Sequence, residues 1–243
     1  MGEITPWYWN KVNLFDHVSP EGRRAFLQRA ERREYKRGEH IFRAQDLANR
    51  VFFLEGGLVK IYHLSARGAV TIFWFCAPGD LFGAGGIAGS TEQSVYGQSV
   101  DRSVVFTIFR TAFEEVLQEH PRIAMNVIKL MAARLRLACD AMTDNVTQRV
   151  EARLARVLLR LARNWGDPTP LGVRFRVRIS HQELANMIGA SRQTVNRALG
   201  DFKREGWMNQ DGRVLVLTDS EGLAHYLERA EAEDVRTEPY RPG

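Results

Sequence analysis

The sequence predicts an α+β fold in three successive parts: a small sandwich or barrel of short strands, one long helix, and a C-terminal helix-turn-helix carrying a wing. Three observations predict it. Residues 38–109 alternate short β-type runs with turn signals. Residues 121–145 keep apolar side chains at spacings of three and four, the pattern of one helix face. Residues 179–217 read as two short capped helices followed by two strands around Asp211-Gly212. A chain of 243 residues is long enough for two ordinary domains, and 44% hydrophobic with 26% charged residues is ordinary globular composition.

In chain order, helices are expected at 20–32 and 110–119, flanking strands at 40–42, 51–54, 58–64, 70–76, 94–100 and 104–109. Between the fourth and fifth strands lie a turn at Pro78-Gly79-Asp80 and a loop rich in glycine (Gly83, Gly85, Gly86, Gly89). Phe73, Trp74 and Phe75 serve either an apolar ligand site or a barrel core. Pro121 suits the first position of the long helix. On it Ile128, Met131, Leu135, Ala138 and Met142 form an a/d seam of just over two heptads, which fits either a second copy of the chain or the helix's own domain. A second helix at 147–164 carries Arg149, Arg153, Arg156, Arg160 and Arg163 on one face and Val150, Leu154, Val157, Leu158 and Leu161 on the other. Gly166-Asp167-Pro168-Thr169-Pro170 reads as a turn or linker, and the acidic stretch 228–238 as a tail of frayed helix or disorder. The expected divisions are therefore 1–120, 121–146, 147–227 and 228–243.

Charge and composition narrow the function. The net charge is +5; residues 148–227 hold 13 basic and 8 acidic side chains, so the surplus sits where a polyanion would meet the helix-turn-helix. Two cysteines, Cys76 and Cys139, are too few for a four-cysteine iron–sulfur or zinc site. No apolar run approaches a membrane span and the N-terminus lacks a signal-peptide pattern, so a cytoplasmic location without membrane attachment is expected. No His-x-His, His-Glu-x-x-His, Gly-x-Ser-x-Gly or phosphate-loop pattern occurs, so no catalytic or metal site is expected and the chain does not read as an enzyme.

The most informative stretch is 179–207. Ser180 followed by Glu183 is a capping box, Leu184, Ala185 and Ile188 supply a buried face, and Gly189 marks the turn. Ser191 caps a second helix whose Val195, Leu199 and Phe202 point inward. Its exposed first turns offer Arg192, Gln193, Asn196 and Arg197, the long hydrogen-bonding side chains that base-edge readout requires.

This segment resembles the DNA-binding helices of the CRP/FNR family of bacterial regulators. The resemblance extends to Lys36-Arg37-Gly38-Glu39-His40-Ile41-Phe42, to Phe52-Phe53-Leu54-Glu55-Gly56-Gly57-Leu58-Val59-Lys60-Ile61-Tyr62, and to Pro78-Gly79-Asp80-Leu81-Phe82-Gly83, where the family begins its phosphate-binding cassette. It implies an N-terminal β-roll, a jelly roll of cyclic-nucleotide-binding type, then a dimerisation helix and a winged helix-turn-helix. It implies a homodimer on a pseudo-palindromic promoter site of double-stranded DNA, with RNA polymerase as a further partner. Arg192 and Arg197 would donate to guanine edges. Ser180, His181 and Ser191 match positions that touch the DNA backbone. Gln193 replaces a glutamate of the cyclic-AMP receptor, and adenine is the physical expectation for a bidentate glutamine.

The implied effector pocket is Gly79, Asp80, Leu81, Gln93 and Ser94. Asp80 takes the ribose-binding role and Ser94 the hydroxyl role, but Gln93 stands where the family's phosphate-binding arginine belongs. Cyclic AMP is therefore a doubtful effector, kept as the alternative reading. The cofactor is unknown: cyclic di-GMP, haem (six histidines are present), another ligand and no ligand at all stay open.

Overall fold

The computed structural model describes residues 12–176, 178–212 and 214–237, with side chains to residue 232. Residues 1–11 of the expected first division and 238–243 of the tail lie outside them. Two compact units divide within one helix, between Arg136 and Leu137.

The N-terminal unit begins with α1 (Pro20–Gln28), which Ser19 caps by accepting the Gly22 N–H at 3.2 Å. Eight strands follow: β1 (Ala30–Tyr35), β2 (His40–Phe42), β3 (Arg50–Gly56), β4 (Val59–Leu64), β5 (Val70–Cys76), β6 (Leu81–Phe82), β7 (Tyr96–Ser99) and β8 (Ser103–Phe109). They form two four-stranded sheets, ordered β1-β8-β3-β6 and β2-β7-β4-β5, in which the registered pairs are antiparallel. A single turn of 3-10 helix over Ala84–Ala88 occupies the glycine-rich loop. The helices α2 (Arg110–Glu119) and α3 (Pro121–Thr147) complete the order.

Strand β3 explains the architecture. Its Val51-Phe52-Phe53-Leu54 run is apolar at every position because both of its faces are covered. Phe52 and Leu54 join Tyr35, Phe42, Val59, Ile61, Cys76, Phe82 and Val105 between the two sheets. Val51 and Phe53 face the other way and pack with Phe26 of α1, Phe113 and Val116 of α2, and Ile123 and Leu130 of α3. Alternate side chains of one strand thus build two cores. Asn126, 1% exposed on α3, donates from Nδ2 to the carbonyls of Leu14 at 2.9 Å and Asp16 at 2.8 Å, which pins the segment before α1.

The expected helix at 20–32 is shorter in the structure. It stops at Gln28, and residues 30–35 are the edge strand β1, paired with β8 from Ala30↔Ile108 to Tyr35↔Ser103. Glu and Arg favour helix locally, but the ladder with β8 decides the conformation. The charges remain outside, with Arg32 3.2 Å from Glu55 and Arg102 2.6 Å from Glu34, and charges on an edge discourage pairing with another chain.

The C-terminal unit contains α4 (Val150–Trp165), β9 (Gly166–Thr169), β10 (Gly172–Phe175), α5 (His181–Ile188), α6 (Arg192–Arg204), β11 (Met208–Asp211), β12 (Val214–Leu217) and α7 (Ser220–Thr237). Helix α4 supports the unit: it contacts α5, α6, α7 and β10, and its Leu154, Ala155, Leu158 and Leu161 are all essentially unexposed. Residues 166–169, expected as a linker, instead pair with β10 and extend the wing into a four-stranded sheet ordered β11-β12-β10-β9. Gly166 permits this: a Cβ there would lie 2.1 Å from Val173 Cγ1 and 2.2 Å from the Ala162 carbonyl. Of the two alternatives for the tail, helix holds as far as Thr237, where α7 ends; earlier on that helix Tyr226 packs at 5.3 Å and 5.8 Å from the rings of Trp207 and Phe202.

Candidate nucleic-acid interface and effector region

Two capped helix starts build the interface. At α5, Ser180 Oγ accepts the Glu183 N–H at 3.2 Å while Glu183 Oε2 accepts the Ser180 N–H at 2.9 Å. The helix ends at Gly189, whose φ of 63° is a left-handed conformation that glycine adopts without steric cost. At α6, Ser191 Oγ accepts the Thr194 N–H at 3.1 Å. Burial of Val195, Ala198, Leu199 and Phe202 turns one face of α6 inward, and this leaves Arg192, Gln193, Asn196 and Arg197 together on the exposed face. No acidic side chain among the described residues pairs with Arg192 or Arg197. The four expected base-reading residues therefore share one surface, with Ser191 at its N-terminal edge and His181, the first residue of α5, bonded across to Asn196. Sequence reasoning missed that last contact, since fifteen residues separate its partners.

Gly200 continues the exposed face one turn beyond Asn196 and Arg197. A Cβ there would meet only Arg204 Nη1 at 3.9 Å, an ordinary contact. Gly200→Ala is therefore expected to stabilise α6 by about 0.5–1 kcal/mol, through lower unfolded-state entropy and better helix propensity. Calorimetry should find melting of the C-terminal unit raised by roughly 2–6 °C.

The arginine face of α4 is structural as well as basic. Arg153 donates to the Ile188 carbonyl at 3.1 Å, satisfying the end of α5, and to the Gln148 carbonyl at 2.8 Å. Arg156 pairs with both Asp144 and Glu231.

In the N-terminal unit four of the five residues of the expected effector pocket, Gly79, Asp80, Leu81 and Gln93, are engaged by the protein itself. Asp80 Oδ2 accepts the Ala77 N–H at 2.7 Å and closes its own turn, in which Gly79 has a φ of 101°. Leu81 has no exposed surface and belongs to the core beneath α1 and α2. Gln93 is 5% exposed, and its Nε2 donates to the Gly83 carbonyl at 3.2 Å. Ser94 is exposed. A cyclic phosphate needs a cation in such a place, and a neutral buried amide already bonded to backbone does not fit that need. Nearby, Phe75 is buried, Phe73 is half exposed, and Arg134 of α3 stacks over Trp74 with its guanidinium 5.3 Å from the ring centre. Burial pushes the Cys76 thiol up to about 12, so it stays protonated at neutral pH, while Cys139 on α3 is exposed. Among the described residues no group of three or more His, Cys, Asp or Glu side chains is placed to hold a metal ion. None of the described helices is long and apolar enough to cross a membrane.

The expected dimer seam lies on α3. Ile128 and Leu135 are 58% and 67% exposed in the N-terminal unit, and Met142 is 71% exposed in the C-terminal unit. Ala138 is exposed too. Met131 differs: it is half-buried against the core that contains Ile123 and Leu130.

A capped recognition helix with an exposed basic and amide face, a glycine turn and a wing define a DNA-binding regulator, here on one chain with a β-roll. Comparison with known proteins agrees in both units. Residues 32–120 match the cyclic nucleotide-binding domain family, and residues 152–226 match the Crp-like helix-turn-helix domain family. The "CRP-like cAMP-activated global transcriptional regulator" of Mycobacterium tuberculosis is 27% identical over 214 residues, 88% of this chain and 96% of that one. The "Cyclic AMP receptor protein" of Thermus thermophilus is 31% identical over 194 residues, 79% of this chain and 86% of that one. The crystal structure of a CRP-family transcriptional regulator from Thermus thermophilus superposes with a TM-score of 0.69 at 26% identity, covering 81% of this chain and 96% of that one. The chain belongs to the CRP/FNR family: it is a DNA-binding transcriptional regulator, not an enzyme.

Proposed function

We propose that the protein acts in the cytoplasm as a homodimer, reads a pseudo-palindromic promoter site, and from there recruits or blocks RNA polymerase. Arg192, Gln193, Asn196 and Arg197 read base edges in the major groove, while Ser180 and Ser191 set the helices against phosphates. Ile128, Leu135, Ala138 and Met142 form the seam between subunits, which brings two recognition helices about one DNA turn apart. The dimer reaches its DNA-competent state without cyclic AMP. The observation that carries this reading is the shared exposed face of α6, held by a capped start and a fully buried opposite face. The inward-turned amide of Gln93 supports independence from cyclic AMP.

Fluorescence anisotropy tests both parts, using a TGT…ACA pseudo-palindromic duplex and a scrambled duplex of equal length. The protein purified without ligand should bind the palindrome selectively, and added cyclic AMP should not change its affinity. Arg197→Ala should lose roughly 30-fold or more of that selectivity, since each bidentate guanine contact is worth ~1–3 kcal/mol and occurs twice per dimer. Weak, salt-sensitive binding to both duplexes should remain. Unchanged affinity of the alanine variant would overturn the assignment of the recognition helix. Selective binding only after cyclic AMP is added would overturn the independence from cyclic AMP.

A further inference from the structure

We infer that His181 is a positioning residue that fixes the amide of Asn196 and so sets which base the recognition helix accepts; this rests on the DNA-reading role proposed for α6. His181 Nδ1 hydrogen-bonds Asn196 Oδ1 across the helix-turn-helix. The carbonyl oxygen accepts, so the imidazole nitrogen donates, and the amide NH2 is the end left for a ligand. His181 is itself set in place as the first residue of α5, within the Ser180–Glu183 capping box. Asn196 stands on the exposed face of α6 between Gln193 and Arg197.

An asparagine with both ends free reads adenine in two places, accepting from N6–H and donating to N7. With its oxygen turned to His181, Asn196 presents donors only. Donors suit the acceptors of guanine (O6, N7) and thymine (O4), make a single bond to adenine N7 in place of the bidentate pair, and find no partner on the cytosine N4 amine. His181 therefore narrows the choice at one position of the half-site, without touching that base itself. Removing the imidazole frees the amide to turn over, and the preference at that position broadens toward adenine and cytosine.

The side-chain geometry supplies a discriminating pair of variants. In His181→Asn the Nδ2 amide occupies the branch of Nδ1, so the bond to Asn196 can be remade. In His181→Gln the Nε2 amide reaches the place of the imidazole Nε2, which suits a phosphate contact instead. The test measures binding of the full-length protein to a panel of duplexes carrying each base at each half-site position. Circular dichroism checks that every variant is folded.

The wild type should discriminate roughly tenfold against cytosine at one position, the size of one well-made base contact. His181→Ala should flatten that position to about twofold or less while other positions keep their preferences. His181→Asn should restore it and His181→Gln should not. Asn196→Ala should flatten the same position, and adding His181→Ala to it should change nothing further. Uniform weakening on every duplex in His181→Ala, rescue by glutamine but not asparagine, or additive losses in the double variant would each overturn the inference and make His181 a phosphate contact. Failure of the wild type to discriminate among any duplexes would overturn the DNA-reading role beneath it, and is distinguishable from those three results.

Discussion

Leu135→Glu is expected to leave each subunit folded and to make the protein monomeric at micromolar concentration. Leu135 is 67% exposed in the single chain, with Ile128 at 58% and Met142 at 71%, all at seam spacing on α3. Large apolar side chains repeated at that spacing are a seam in search of a partner. Fully burying a leucine contributes about 1.5–3 kcal/mol, and symmetry makes one substitution count twice. The dimer should weaken by roughly 10²–10⁴-fold, and the buried carboxylates of an assembled variant would add to that. Sedimentation equilibrium measures the change directly. Anisotropy on the palindrome should fall to the level of a single half-site, because the gain from linking two recognition helices is lost. Met131→Glu is the contrasting variant: its side chain packs on the β-roll core, so it should lower the melting temperature rather than yield a folded monomer. Leu135→Glu remaining dimeric would remove α3 as the interface.

The comparison of these two neighbours shows where sequence reasoning stops. Spacing placed Met131 and Leu135 in one seam, but only packing tells which neighbour a helix residue meets. The helix-turn-helix was legible because its signals are local: a serine and a glutamate three apart, a glycine at a left-handed turn, and inward residues at helical spacing. The β-roll was legible in its apolar strands and not at its edge. Residues 30–35 carry Glu and Arg, which favour helix, and become a strand only through pairing with β8 some seventy residues later. Likewise Pro168 and Pro170 suggest a linker, yet residues 166–169 pair with β10 on an edge where proline's missing N–H is harmless. At the expected effector pocket, the sequence exposed a missing cation at Gln93. That its amide would turn inward to the Gly83 carbonyl is a tertiary fact.

Arg156→Met is expected to cost the C-terminal unit a large share of its stability. The Arg156 side chain is 15% exposed on α4 and joins two carboxylates from distant parts of the sequence. Asp144, 12% exposed near the end of α3, forms the buried pair, while Glu231 of α7 is 44% exposed. The arginine thereby fixes how α4 leaves the last turns of α3 and ties α7 to the same point. Methionine matches the arginine stem but leaves Asp144 buried without its counter-charge. Breaking a buried pair from one side costs about 3–5 kcal/mol, which in a unit of this size lowers melting by roughly 10–20 °C. The more exposed Glu231 contributes less, so Glu231→Gln should cost no more than about 1 kcal/mol. Adding Asp144→Asn to Arg156→Met should recover most of the loss, because a neutral amide in the same place no longer demands a cation. Calorimetry of the four proteins checks the argument. If the double variant melts as low as Arg156→Met alone, the stem packing of Arg156, and not its pairing with Asp144, holds α3 and α4 together.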